Sequence, residues 1–252
     1  AAQAIRSGAI QTPVIIGAET MSRVVDWQDR GTCILFGDGA GAVVLRAAHT
    51  PGGVLSAVLR SDGSGSDLLG IPTVGSEDLY HPDFRAENGH RIGKMFMNGG
   101  EVFKFATRVI GESITQALEK AGLTLTDISL IVPHQANMRI IQAAARALKV
   151  DAELFMSNID KYANTSAASI PIALCEAIEQ GRVKDDQKIV FVGFGGGLTW
   201  AAMVVQWTGA RPPEPSASTL IKQQRRQISY TVARWQTTLR RINRRLVGLL
   251  AW

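Results

Sequence analysis

Cysteine is nearly absent: Cys33 and Cys175 are the only two in 252 residues. Both have apolar sequence neighbours, so no disulfide framework or zinc cluster can be built from them, and a reducing, cytoplasmic setting is expected. No apolar run reaches the roughly 18 residues a bilayer-spanning helix needs. Aromatic residues make up 6% and charged residues 19%, against 46% hydrophobic, which reads as a globular chain with a large core. The opening AAQAIRSGAIQ resembles the end of an amphipathic helix. It lacks the charged start and apolar core of a signal peptide, and no Met precedes it, so the chain is expected to begin inside a domain.

Acidic residues are missing from one region above all. From Arg211 to Trp252 there are nine Lys/Arg and one acid, Glu214, so that tail carries +8 and the rest −3 of the net +5. The basic character belongs to the tail, which argues against nucleic acid as the partner of the whole chain.

Short apolar runs and helical stripes alternate. Pro13–Gly17, Thr32–Phe36 and the AVVLR run after Gly41 read as strands too apolar to face water. Gly37-Asp38-Gly39-Ala40-Gly41 reads as a tight connection, since its spacing departs from a dinucleotide fingerprint. Val54–Arg60 is a further strand, and Ser61–His90 is expected to be a long surface excursion. Asn98–Ala121 has helical spacing through Val102, Phe105, Val109, Ile114 and Leu118, with Gly122 as its C-cap. Ile128–Val132 is a strand, Ala136–Leu148 a helix, and Thr165–Gln180 a helix with Pro171 in its first turns. Lys188–Val192 and Leu198–Trp207 read as a hairpin. The fold class is therefore α/β.

After Trp207 the composition changes. Residues 208–218 form a Pro/Ser linker, and residues 219–252 read as one basic amphipathic helix. Its stripe is Ile228, Val232, Trp235, Leu239, Ile242, Leu246 and Leu249, with most arginines off it.

Three segments carry candidate chemistry. Val-Pro-His-Gln-Ala-Asn-Met-Arg ends at Arg139, and Asn-Thr-Ser-Ala-Ala-Ser runs from Asn164 to Ser169. Each places a neutral polar side chain, His134 or Asn164, where the chain enters a helix. Two hydrogen-bond donors aimed at one carbonyl oxygen stabilise an enolate. The glycine run Gly193 to Gly197 leaves its backbone bare enough for a substrate to approach. Singly, each is more often structural: a satisfied histidine, an N-cap, a turn.

Together they resemble β-ketoacyl-acyl-carrier-protein synthase III, the initiating condensing enzyme of fatty-acid synthesis in the thiolase superfamily. The resemblance rests on DRGTCILFGDGAGAVVL from Asp29, VPHQANMRII from Val132, NTSAASIPIAL from Asn164 and GFGGGLTWAAM from Gly193. It runs collinearly over residues 1–207 and implies a thiolase-like layered fold. Residues 1–50 would be the end of the N-terminal half, most of which is missing, and residues 51–207 the C-terminal half. The implied triad is Cys-His-Asn, with His134 and Asn164 as its last two members and the Gly196 N–H completing an oxyanion hole. Phe194 matches the aromatic beside the reactive centre. Arg30, Gly99, Ala136 and Asn137 match residues near coenzyme A. Lys104, Arg139 and Arg146 match basic positions that dock the acidic carrier protein.

The implied reaction joins a short acyl-coenzyme A primer to malonyl carrier protein by decarboxylative Claisen condensation. It needs no metal and no cofactor other than the coenzyme A thioester that is its substrate, and the enzyme is expected to be a homodimer. The departure from the family lies in the nucleophile. Its cysteine would fall roughly ten residues before Ala1, by alignment with the helix-start motif that carries it. Cys33, placed in a strand, and Cys175, placed in a helix, are not credible substitutes. The chain is thus expected to be an N-terminally truncated synthase III, inactive in isolation. The alternative is a non-catalytic thiolase-fold relic whose basic helix binds a membrane or a partner.

Overall fold

The computed structural model describes residues 1–48, 51–72 and 91–208, with residues 224–225, 228–229, 231–232, 235–236 and 238–239 of the C-terminal segment. Ala1–Thr208 form one unit and Gly209–Trp252 a second. The expected excursion beyond residue 72, the linker and most of the basic helix, Ile242, Leu246 and Leu249 included, lie outside the described residues. The tail residues that are described are helical, and of its stripe Ile228, Val232, Trp235 and Leu239 are exposed.

The first unit opens with α1 (Ala2–Arg6) and β1 (Val14–Glu19). A 3-10 turn, α2 (Arg30–Cys33) and β2 (Gly39–Val44) follow. β1 and β2 pair antiparallel, Val14 opposite Val44 and Glu19 opposite Gly39.

Three sequence expectations are corrected here. Thr32–Phe36 is not a strand: Asp29 caps a helical turn, accepting from Gly31 N at 2.8 Å and Thr32 Oγ1 at 2.8 Å. That cap overrides the β-branched run, leaving Phe36 only a single bridge to Asn164. Cys33 is therefore helical. The glycines at 39 and 41 are not turn residues but lie inside β2. Nor is this sheet covered on both faces, because Val14, Ile16 and Val44 are exposed. The glycines explain the covered face. A Cβ on Gly17 would stand 2.3 Å from the Ala167 carbonyl oxygen, and one on Gly41 2.9 Å from Pro171. Only bare backbone lets residues 165–172 lie this close to the sheet.

The main sheet follows. β3 (Gly53–Ser61) is succeeded by a 3-10 segment, Gly63–Leu68, and by β4 (Leu69–Gly70), which pairs with β5 (Phe96–Met97). Then come α3 (Gly99–Ala121), β6 (Ile128–Pro133), α4 (Met138–Leu148), α5 (Ile159–Tyr162), α6 (Ser169–Glu179), β7 (Lys188–Gly195) and β8 (Thr199–Gln206). The strand order is β3-β8-β7-β6. β6 and β7 are parallel, and the other pairs are antiparallel.

Alternation along the strands builds a core on each face. Ile131, Val190 and Val192 face α3 and α4, meeting Ala106, Ile110, Ile114, Ile141 and Ala144. Leu130, Val132 and Ile189 face α6, meeting Ala173, Leu174 and Ala177. Full burial of an Ile or Leu is worth about 1.5–3 kcal/mol, so these layers hold β6 and β7 in place and aim their C-terminal ends.

α3 starts where Asn98 accepts from the Glu101 N–H at 3.3 Å, and stops at Gly122 with φ 66°. Two helix starts move from their expected places. α4 begins at Met138, not Ala136, because Asn137 is its N-cap, accepting from the Arg139 N–H at 2.9 Å. α6 begins at Ser169, after a 3-10 turn at Ser166–Ala168.

Candidate active site

β6 ends at Pro133, and the ladder to β7 continues one step further: the His134 N–H donates to the Val192 carbonyl at 2.8 Å. That bond fixes the His134 backbone at the sheet's C-terminal edge. Its Nδ1 lies 2.6 Å from Ser169 Oγ, and its ring packs edge-on against Phe194 at 5.4 Å and 75°. The ring is half-buried at its pocket side, yet enclosed enough that desolvation pushes its pKa down from 6.5 to about 4. At neutral pH it is uncharged.

Asn164 arrives from the opposite direction. Its N–H donates to Leu35 O at 2.9 Å, and its carbonyl accepts from Gly37 N at 2.9 Å, so its backbone is clamped beside Phe36. Its Oδ1 accepts from the Ser166 N–H at 2.9 Å. This orients the amide, and Nδ2 has no hydrogen-bond partner among the described residues. The turn is strained, with φ 60° at Ala163 and 51° at Ser166. Such non-glycine conformations cost of order 1–3 kcal/mol and cluster at functional sites.

The glycine run closes the third side. Gly193 and Gly195 lie in β7, and Gly196 starts the turn to β8. A Cβ on Gly196 would stand 3.1 Å from the Leu69 carbonyl oxygen, so a side chain there would press into the cavity wall.

His134, Asn164, Gly196, Phe194, Gly99, Ala136 and Asn137 all line one cavity of about 750 Å³, a size typical of ligand pockets. Leu69, Met95, Met97, Phe103 and Trp200 give it apolar walls. Arg30 does not line it, although the next residue, Gly31, does. Lys104, Arg139 and Arg146 are exposed outside it. Arg139 lies 5.5 Å over the ring of Phe103, which ties that cation to the cavity wall. Lys104 pairs with Glu101 at 2.8 Å, and that hydrogen bond raises its pKa. Neither Cys33 nor Cys175 lines the cavity. Among the described residues no group of three or more His, Cys, Asp or Glu could hold a metal ion, and no helix is long and apolar enough to cross a membrane.

Sequence reasoning missed the support beneath these groups. Gln135 is buried and donates from Nε2 to Pro133 O at 2.9 Å and Met156 O at 3.1 Å, while its Oε1 accepts from the Asn158 N–H at 3.0 Å. Asn158 donates on to Glu176 at 3.1 Å, and the Tyr162 hydroxyl donates to Glu176 at 2.7 Å. One buried network thus joins the His134 turn to the chain entering Asn164. Gln135 and Ser169 sit inside the quoted motifs, but nothing in spacing distinguishes them from their neighbours. Glu176 stands out only as an acid on the apolar α6.

The main sheet, its two helical layers and a His/Asn pocket define a thiolase-like condensing-enzyme architecture. Residues 1–63 match the family described as 3-oxoacyl-[acyl-carrier-protein (ACP)] synthase III, and residues 118–207 match its C-terminal domain family. The β-ketoacyl-[acyl-carrier-protein] synthase III of Clostridium acetobutylicum is 48% identical over 208 residues, 82% of this chain and 62% of that protein. The solved synthase III from Thermus thermophilus superposes with TM-score 0.75 at 45% identity, covering 83% of this chain and 63% of that one. The Aquifex aeolicus 3-oxoacyl-[acyl-carrier-protein] synthase III superposes with TM-score 0.71 at 42% identity, covering 81% and 61%. The chain belongs to the β-ketoacyl-acyl-carrier-protein synthase III family. It spans less than two thirds of the length of these relatives, 62% for the Clostridium protein.

Proposed function

We propose that this chain carries the decarboxylating half of a condensing acyltransferase that joins a short acyl-coenzyme A primer to malonyl carrier protein. The observation that supports this best is the pairing of His134 and Asn164 on one cavity. Each is held by one polar atom, and each keeps a side-chain nitrogen, His134 Nε2 or Asn164 Nδ2, without a partner among the described residues. Loss of carbon dioxide from a malonyl thioester leaves its electron pair on the α-carbon and, by resonance, negative charge on the thioester oxygen. The two N–H groups donate to that oxygen. A neutral His134 suits the role, because it stabilises the enolate without handing over a proton. The carbanion then attacks an acyl-cysteine thioester and expels the thiolate, with the Gly196 N–H donating to the oxyanion.

No metal or prosthetic group enters these steps. The coenzyme A arm is assigned to Gly99, Ala136, Asn137 and Phe194 inside the cavity, with Arg30 outside it. Arg139 and Arg146 lie seven residues apart on the exposed face of α4 and form the docking surface for an acidic carrier protein. Lys104 joins them less directly, since Glu101 already answers its charge. We assign a homodimer to the working enzyme, supported by the exposed apolar residues of β1 and β2. The basic tail is assigned to an anionic membrane surface.

Two assays test the reading. Malonyl-coenzyme A decarboxylation by the 252-residue chain should fall about a hundred-fold or more in His134→Ala and in Asn164→Ala, as for lost oxyanion donors; unchanged carbon dioxide release in either would refute it. The same chain should yield no β-ketoacyl product from acetyl-coenzyme A and malonyl carrier protein, because no cysteine faces the cavity. Product that disappears in Cys33→Ala or Cys175→Ala would show the nucleophile misplaced.

A further inference from the structure

We infer that Ser169 is the positioning residue that locks His134 in the tautomer with its proton on Nε2, by donating the Ser169 hydroxyl proton to Nδ1. The inference rests on the proposed role of His134 as a neutral donor.

The argument is an accounting of one proton. Ser169 is 2% exposed. Its Oγ has two polar neighbours among the described residues, His134 Nδ1 at 2.6 Å and the Gln135 N–H at 3.4 Å. The Gln135 N–H is only a donor, so Oγ accepts from it. A hydroxyl carries a single proton, and among the described residues the one acceptor in reach of that proton is Nδ1. If Nδ1 carried the proton instead, Oγ would accept twice and its own proton would be buried without a partner, the costly arrangement. The hydrogen bond at one ring nitrogen decides which nitrogen is protonated. Nδ1 is therefore the acceptor, and Nε2 carries the hydrogen.

Position and packing make the lock rigid. Ser169 is the first residue of α6, seated on the β1–β2 sheet through the glycine contacts at 17 and 41. The ring cannot swing away easily, because Phe194 packs on it edge-on and its backbone N–H is tied to β7. Nε2 has no partner among the described residues, so its N–H is the one available to a thioester oxygen. With the opposite tautomer an Nε2 lone pair would meet the developing negative charge. The segment from Asn164 to Ser169 thus supplies one oxyanion donor directly and sets the protonation of the other.

The test reads the tautomer directly. The full 252-residue chain is labelled with ¹⁵N-histidine, and two-bond ¹H–¹⁵N correlations are recorded above pH 6.5, with His134 assigned by loss of its signals in His134→Gln. The wild type should show an unprotonated Nδ1 and a protonated Nε2. Ser169→Ala should show a mixture of tautomers, and Ser169→Thr, which keeps the hydroxyl, should restore the single form. Malonyl-coenzyme A decarboxylation should lose about ten-fold or more in kcat in Ser169→Ala with KM nearly unchanged, since only the transition-state donor is weakened. A protonated Nδ1 in the wild type overturns the inference, as does an unaltered Nε2–H form in Ser169→Ala. If Ser169→Thr does not fold, the wild type and Ser169→Ala still decide. A wild type with the Nε2–H form but no decarboxylation would leave the tautomer assignment standing and sink the proposed function.

Discussion

At the scale of residues, His134 is where burial and chemistry meet. A free histidine titrates near 6.5, and this one is pushed to about 4 by desolvation. Between those values the unfolded chain binds a proton that the native chain refuses, so stability rises with pH across the window and falls as pH drops from 6.5 toward 4. Above 6.5 the group contributes no slope. The expected outcome is a pH-dependent gap between wild type and His134→Gln, opening below pH 6.5 by at most about 1.4 kcal/mol per unit. Urea unfolding followed by tryptophan fluorescence at several pH values measures it. Parallel curves for the two proteins would mean that the ring is hydrated and the pKa ordinary.

Among the elements, two glycines of similar appearance do different work. Gly17 faces the Ala167 carbonyl, which a Cβ would meet at 2.3 Å, whereas a Cβ at Gly193 meets Ile170 at 3.4 Å and His134 at 3.8 Å, ordinary contacts. Gly17→Ala should therefore push residues 165–169 off the β1–β2 sheet. We expect a loss of about 1–3 kcal/mol in stability, the usual cost of overpacking, together with most of the decarboxylation rate, because Asn164 and Ser169 move with the segment. Gly193→Ala should fold with near-normal stability while narrowing the cavity beside His134, raising KM for malonyl-coenzyme A. Thermal unfolding and steady-state kinetics on both variants separate the effects. Equal melting temperatures would refute the close-approach account of Gly17.

For the whole molecule, the charge division is the prominent property, with a +8 tail on a remainder of −3. The described stripe residues of the tail are helical and exposed, and arginines flanking such a stripe would repel one another across a homodimeric seam. An anionic surface would cover both the stripe and the charge. A peptide of residues 216–252 should gain helicity with vesicles containing phosphatidylserine or phosphatidylglycerol and release them at high salt, as screening predicts. Equal binding to neutral phosphatidylcholine vesicles, or no helicity with anionic ones, would sink the idea.

The sequence by itself determined the features that are local or periodic. The stripe from Val102 to Leu118 was legible because a 3.6-residue period records which face is buried, the ends Asn98 and Gly122 because cap residues are local, and β3, β6 and β7 because short apolar runs mark buried strands. The four motifs identified the family, and with it the residues that converge on the cavity. The Asp29 cap, bonded to Gly31 and Thr32, is local too, but the apolar run beside it reads as a strand and hides the helical turn at Arg30–Cys33. Tertiary structure alone decided the rest. The glycines at 39 and 41 read as a turn because their real reason, the approach of residues 165–172, is a contact more than a hundred residues away. Ser169, Gln135 and Glu176 were hidden for the same cause. A hydrogen bond between distant segments leaves no period in the sequence, yet such bonds orient His134 and Asn164 toward the same space.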